Sequence, residues 1–112
     1  MFATIRRYEA IDQARTSELV KQADETLVPS LSELPGFSGY YLIEAGDGVM
    51  SSISLFDTSA HADESTRVAS NWVREYKLET ALPNPPKITS GEVVAHKTRE
   101  LVQAYSLRAH SL

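Results

Sequence analysis

Residues 37–56 constrain this chain more than any other stretch. Residues 37–45 are rich in aromatic and β-branched side chains, Gly46-Asp47-Gly48 accepts positive φ, and residues 49–56 resume an extended pattern, so the segment reads as a β-hairpin. Side chains alternate along a strand, which sets Tyr40 and Leu42 on one side and Phe37, Tyr41 and Ile43 on the other. Both sides are apolar. A sheet apolar on two faces needs two covers, and any fold for this chain has to provide them.

One strand and one helix flank the hairpin on each side. Residues 2–8 have strand composition, with Ala3 and Ile5 on one face and Phe2, Thr4 and Tyr8 on the other. Asp12 can cap a helix in which Val20, Ala23, Leu27, Leu31 and Leu34 recur at steps of three and four. Pro29 lies in that stripe and cannot donate its backbone bond, which predicts a kink or a restart there; Pro35-Gly36 ends the helix. After the hairpin, Asp57, Thr58 and Ser59 offer capping oxygens. Ser65, Ala69, Trp72 and Tyr76 then follow at helical spacing, widened by Val68 and Val73, in a helix that stops by Pro83. Asn84-Pro85-Pro86 is a stiff connector, and residues 91–96 read as the last strand.

The order is β-α-β-β-α-β, the ferredoxin-like or split βαβ plan of the α+β class, with an antiparallel sheet carrying both helices on one face. The expected cover for the other face is the sheet of a second subunit, so a homodimer through the sheet face is predicted. Residues 1–96 make up this domain. Residues 97–112 form a separate tail in which Leu101, Tyr105, Ala109 and Leu112 recur at steps of four, four and three, predicting a C-terminal helix.

Composition narrows the function classes. A chain of 112 residues builds one core and not two, and its small size favours oligomerisation. Without cysteine there is no disulfide framework, thiolate nucleophile or iron–sulfur ligand set. Lys97, Arg99 and Arg108 against Glu100 give the tail a charge of +2 and leave −6 on the rest of a chain of net charge −4. That balance attracts no phosphate backbone, so no nucleic-acid partner is expected. The longest apolar-leaning run, residues 49–56, is interrupted by Ser51, Ser52 and Ser54 and is too short to span a membrane. The N-terminus lacks the basic start and cleavage site of a signal peptide, so the expectation is a cytoplasmic protein with no membrane partner. His61, His96 and His110 are too scattered for a metal site, and His61 with Glu64 supplies only two ligands. The serines of residues 51–54 have no nearby histidine or acid for nucleophilic catalysis.

Five sequence passages carry a resemblance. Leu31-Ser32-Glu33-Leu34-Pro35-Gly36-Phe37 leads from helix into strand and is followed by Gly39-Tyr40-Tyr41. Gly46-Asp47-Gly48 forms the hairpin tip, Ser52-Ile53-Ser54-Leu55-Phe56-Asp57 the next strand, and Asn71-Trp72-Val73 lies on the second helix. In this order, across residues 2–96, the chain resembles the antibiotic biosynthesis monooxygenase superfamily of small dimeric α+β-barrel proteins. The resemblance implies two subunits with their sheets face to face and a cavity in each subunit between sheet and helices. Some members oxidise polycyclic phenols there with molecular oxygen and no metal or flavin. Related members degrade haem, and others have no established activity.

The haem-degrading branch shares a tryptophan at the place of Trp72 but relies on an asparagine in the first strand and a histidine further along the second helix. Here the first strand offers Thr4, Arg6 and Tyr8, and Tyr76 follows Trp72, which disfavours haem. In the cofactor-free oxygenases Trp, Tyr, Asn and Arg recur around the substrate. The resemblance therefore implies Trp72, Tyr40, Tyr41, Arg6 and Asn71 as candidates, with His96 as a candidate base at a strand end. Tyr40 and Tyr41 point to opposite faces, so at most one of them reaches a given cavity. Trp72 also reads as a core anchor, since it falls on the apolar stripe. The expected function is a cofactor-independent monooxygenase acting on a small hydrophobic or aromatic compound; the alternative is a non-catalytic dimeric protein that binds a small molecule.

Overall fold

The computed structural model describes residues 1–98. Strands β1 (Phe2–Tyr8), β2 (Phe37–Gly46), β3 (Val49–Phe56) and β4 (Lys87–Glu92) form one antiparallel sheet in the order β2-β3-β1-β4. Two helical stretches pack on one face of it, which is the ferredoxin-like α+β arrangement read from the sequence.

The first stretch is assembled from pieces. A 3₁₀ turn (Gln13–Arg15) is capped by Asp12, whose carboxylate accepts from the Ala14 N–H, and is followed by α1 (Thr16–Gln22), a π-helical turn (Ala23–Leu27) and α2 (Val28–Ser32). Backbone angles stay right-handed helical at Gln22, Leu27 and Val28, so the stretch continues through its junctions. Pro29 accounts for the widened turn: its ring crowds the carbonyl four residues back and offers it no N–H. Thr26 Oγ1 donates to the Gln22 carbonyl at 2.6 Å and Ser30 Oγ to the Thr26 carbonyl at 3.0 Å, adding side-chain donors where the ladder is irregular. The wide turn also resets the buried stripe. Leu19, Ala23, Leu27 and Leu31 are all buried at steps of four. Each such step overshoots an α-helical turn by about 40°, and the π turn absorbs part of that drift. Val20, expected on this stripe, is 41% exposed, and Leu19 takes its place.

Helix α3 (Ser59–Glu75) begins at Thr58, whose hydroxyl accepts from the His61 N–H, and buries Ala62, Ser65 and Ala69. Two apolar clusters result. Ile11, Leu19, Met50, Leu78 and Ala81 form one, Leu27, Leu31 and Ala69 the other, and the half-buried Trp72 packs against both. Among the described residues no helix is long and apolar enough to cross a membrane.

Two strand details differ from the sequence reading. The last strand is Lys87–Glu92 and not residues 91–96. The proline connector delivers the chain beside Arg7, pairing starts at Lys87 and runs to Glu92 opposite Phe2, and the Val93 N–H closes on the Met1 carbonyl at 2.9 Å. Hydrogen bonding to the free edge of β1 defines this strand; apolar alternation does not, because Ile88 is its only large apolar residue. Phe37 also turns the other way. A bulge between Phe37 and Gly39 breaks the alternation, and the ring packs edge-on against the buried Phe56 at 5.7 Å, on the helix side. Gly36 leads into the bulge at φ +77°, where any side chain would be strained and a Cβ would displace the Asp57 carboxylate, so glycine is favoured.

The opposite face of the sheet is apolar and exposed in the single chain. Tyr41, Ile53 and Ile5 lie in one cross-strand row, and Ile5, Tyr41 and Ile43 are 38%, 58% and 46% exposed. The helix predicted within residues 97–112 falls outside the described residues from 99 onward.

Candidate functional site

Strand parity decides what enters the space under the helices. In β1 it is Thr4, Arg6 and Tyr8, in β3 Met50, Ser52 and Ser54, and in β2 Tyr40 and Leu42. The helix-facing side of the sheet is thus polar along its middle, with Thr4, Arg6, Ser52 and Ser54 all buried. Between this strip and the helices lies a cavity of about 40 Å³, walled by Arg6, Tyr8, Tyr40 and Ser52 below and by Ala23, Leu27 and the Trp72 ring above. A groove of about 810 Å³ runs outside it, between the first helical stretch and the hairpin, past Thr16, Val20, Asp24 and Val28 on one bank and Glu44 and Val49 on the other. Ala23, Tyr40, Leu42 and Met50 border both spaces, so the groove adjoins the cavity.

Trp72 is held in place by the widened turn. Its indole N–H donates to Thr26 Oγ1 at 2.7 Å, so the nitrogen is engaged within the protein while the residue lines the cavity. Arg6 is 4% exposed. It donates to Ser54 Oγ at 3.3 Å and to Thr66 Oγ1 at 2.5 Å. Burial pulls its pKa down, while the phenols of Tyr8 and Tyr40 act in the other direction. Burial likewise raises Tyr8, against the opposing pull of Arg6. Tyr40 is pushed up to about 12, first by burial and then by Tyr8, with a Ser52 hydrogen bond and the Arg6 charge opposing. At neutral pH the cavity therefore holds one cation and two neutral phenols.

These phenols give stability a defined alkaline limit. Their folded pKa lies above the unfolded value, so the stability they support is complete below pH 10 and is lost as pH rises toward about 12. Denaturant unfolding followed across this window should show the fall, and Tyr40→Phe, which has no proton to lose, should flatten it. An identical slope in Tyr40→Phe would refute the assignment to Tyr40.

Of the sequence candidates, Arg6, Tyr40 and Trp72 come together at this cavity. Tyr41 lies on the exposed outer face of the sheet, because it is one residue out of phase with Tyr40. Asn71 is exposed on α3 and accepts from Arg74, since the buried stripe passes through Ala69 and Trp72. His96 stands exposed beyond β4 and does not end a strand, because the strand closes at Glu92. The sequence reading did not select Tyr8, Ser52, Thr26 or Thr66 for the site. Tyr8 and Ser52 were accessible through strand parity with Arg6 and Ser54; Thr26 and Thr66 had no local signal. Among the described residues no three metal-binding side chains converge.

No protein-family model matches the sequence, and no curated protein matches it. The fold does match solved structures. A putative antibiotic biosynthesis monooxygenase from Nitrosomonas europaea is similar with a TM-score of 0.68 at 13% identity, over 83% of this chain and 89% of that one. A monooxygenase of Streptomyces coelicolor, solved in complex with nanaomycin D, has a TM-score of 0.68 at 19% identity, over 88% and 92%. A dimeric ferredoxin-like protein from an uncultured marine organism has a TM-score of 0.65 at 16% identity, also over 88% and 92%. Similar structures include proteins of unknown function as well. At these identities the likeness is one of fold, and at that level the resemblance read across residues 2–96 holds.

Proposed function

We propose that this chain is a cofactor-independent monooxygenase-like protein that takes a small hydrophobic, aromatic compound into the space between sheet and helices. The observation that carries the reading is the groove adjoining a cavity lined by apolar side chains, one indole and a few convergent polar groups, which is how sites for planar small molecules are built. The likeness in fold to a monooxygenase holding nanaomycin D supports it. An electron-rich phenol is itself the reductant in such chemistry. One atom of O₂ enters the ring as a second carbonyl, the other leaves as water, and the ring hydrogen and phenolic hydrogen go into that water. Tyr40, kept protonated, is placed to donate a hydrogen bond to an oxygen-centred anion formed on the way. The working unit in this proposal is a homodimer packed through the exposed sheet face, a reading supported by the dimeric ferredoxin-like relative in fold.

The test is oxygen uptake with a panel of bicyclic and tricyclic phenols. The expected result is equimolar oxygen consumption and quinone formation for at least one of them, slowed roughly tenfold or more in Tyr40→Phe. Among the described residues, none that line the inner cavity accepts a proton at neutral pH, and this favours a second reading, a non-catalytic binding protein. A phenol that quenches Trp72 fluorescence without consuming oxygen would select that second reading.

A further inference from the structure

An apolar pocket for a neutral aromatic molecule has no need of Arg6. A guanidinium carries five N–H donors, and Arg6 places two of its bonds on the neutral hydroxyls of Ser54 and Thr66. Arg7, Arg15 and Arg67 have Glu9, Glu18 and Glu64 as ion-pair partners; among the described residues Arg6 has no carboxylate within ion-pair distance. The carboxylates of Asp24, Glu44 and Asp47 line the outer groove and stay clear of the inner cavity. Arginine does not relieve this by losing its proton. A full positive charge is therefore buried at the cavity wall beside neutral phenols, an arrangement that is costly unless a counter-charge arrives.

We propose that Arg6 makes the site selective for an organic anion whose acidic oxygens meet the guanidinium in the inner cavity while its planar apolar body extends into the groove. The inference rests on the aromatic-ligand reading of this site and adds the charge of the ligand. Size points the same way. About 40 Å³ admits an acidic head but no bicyclic ring, whereas about 810 Å³ accommodates the body, and the two spaces adjoin at Ala23, Tyr40, Leu42 and Met50, which line both. The guanidinium fork matches a conjugated oxygen anion, either a carboxylate or an enolate of the phenolate type.

Trp72 is the only tryptophan of the chain and lines the cavity, so its fluorescence reports occupancy. Three probes of equal ring size decide the matter in the full chain: 2-naphthoate, ionised 2-hydroxy-1,4-naphthoquinone and the neutral 2-naphthylmethanol. The wild type should bind at least one anion roughly tenfold or more tighter than the alcohol, the range expected for charge-assisted bonds. Arg6→Gln should bring that preference to within about twofold and keep its affinity for the alcohol, and Arg6→Lys should retain part of the preference. The tighter of the two anions identifies carboxylate or enolate as the head. Equal binding of anion and alcohol by the wild type, or a preference that survives Arg6→Gln, overturns the inference and leaves the aromatic pocket standing. Quenching by none of the three overturns the pocket reading and this one with it. If Arg6→Gln does not fold, the wild-type ratio together with Arg6→Lys decides.

Discussion

Ile5→Glu is expected to weaken self-association at least 100-fold, about 3 kcal/mol, the range for an uncompensated charge placed in an apolar interface. Ile5 sits on the second strand from the β4 edge, in a row with Ile53 and Tyr41, and 38% of it is exposed in the single chain. Water therefore solvates the new carboxylate in a lone subunit, and the penalty falls on the dimer. Sedimentation equilibrium across micromolar concentrations measures the change. Val20→Glu, which adds the same charge on the helix side at an exposed position, should leave association intact. A wild type that is monomeric throughout the range, or an Ile5→Glu variant that dimerises as before, would refute the packing of sheet on sheet.

Arg6→Met should make the ligand-free protein more stable. The substitution removes a buried, unpaired charge and fills its place with an apolar chain of similar reach; replacing buried ion pairs by apolar residues gains up to about 1–4 kcal/mol, and a gain of that order is expected here. In a domain of this size that is a rise of roughly 5 °C or more in the unfolding midpoint. The Ser54 and Thr66 hydroxyls lose a donor in the exchange, and the Thr66 hydroxyl has another partner in the Ala62 carbonyl at 3.4 Å. Differential scanning calorimetry on both proteins gives the sign directly. A midpoint that falls by several degrees would mean that Arg6 holds the fold together and is not waiting for a ligand. A gain in stability accompanied by loss of anion preference is the trade-off expected when a charge is kept for binding.

Much of this architecture is legible in local pattern. The hairpin announces itself through two β-rich runs around Gly46-Asp47-Gly48, and all three turn residues do adopt positive φ. The Pro29 irregularity is equally local: a missing N–H and a crowding ring reach only the preceding turn. Phe37 and the last strand were not legible. The first depends on a bulge, which inserts a phase error that no alternation count contains, and the second on which stretch of chain is delivered to the free edge of β1. The shift from Val20 to Leu19 has the same origin, since a π turn changes the period on which a helical stripe is counted.

The site divides along the same line. Strand parity, a short-range property, was enough to set Arg6 with Thr4 and Tyr8, to separate Tyr40 from Tyr41, and to make two sheet faces of unlike chemistry. Which of those faces lies under the helices, and what waits there for each polar group, is decided by contacts between distant residues. Arg6 meets Thr66 across 60 positions and Trp72 meets Thr26 across 46. Periodicity carries no information over such separations. The sequence by itself determined the order of elements and the residues that share a face; tertiary packing alone decided that the face with Arg6 is buried and that its hydrogen-bond partners there are neutral hydroxyls, because burial and pairing depend on the whole set of packed neighbours.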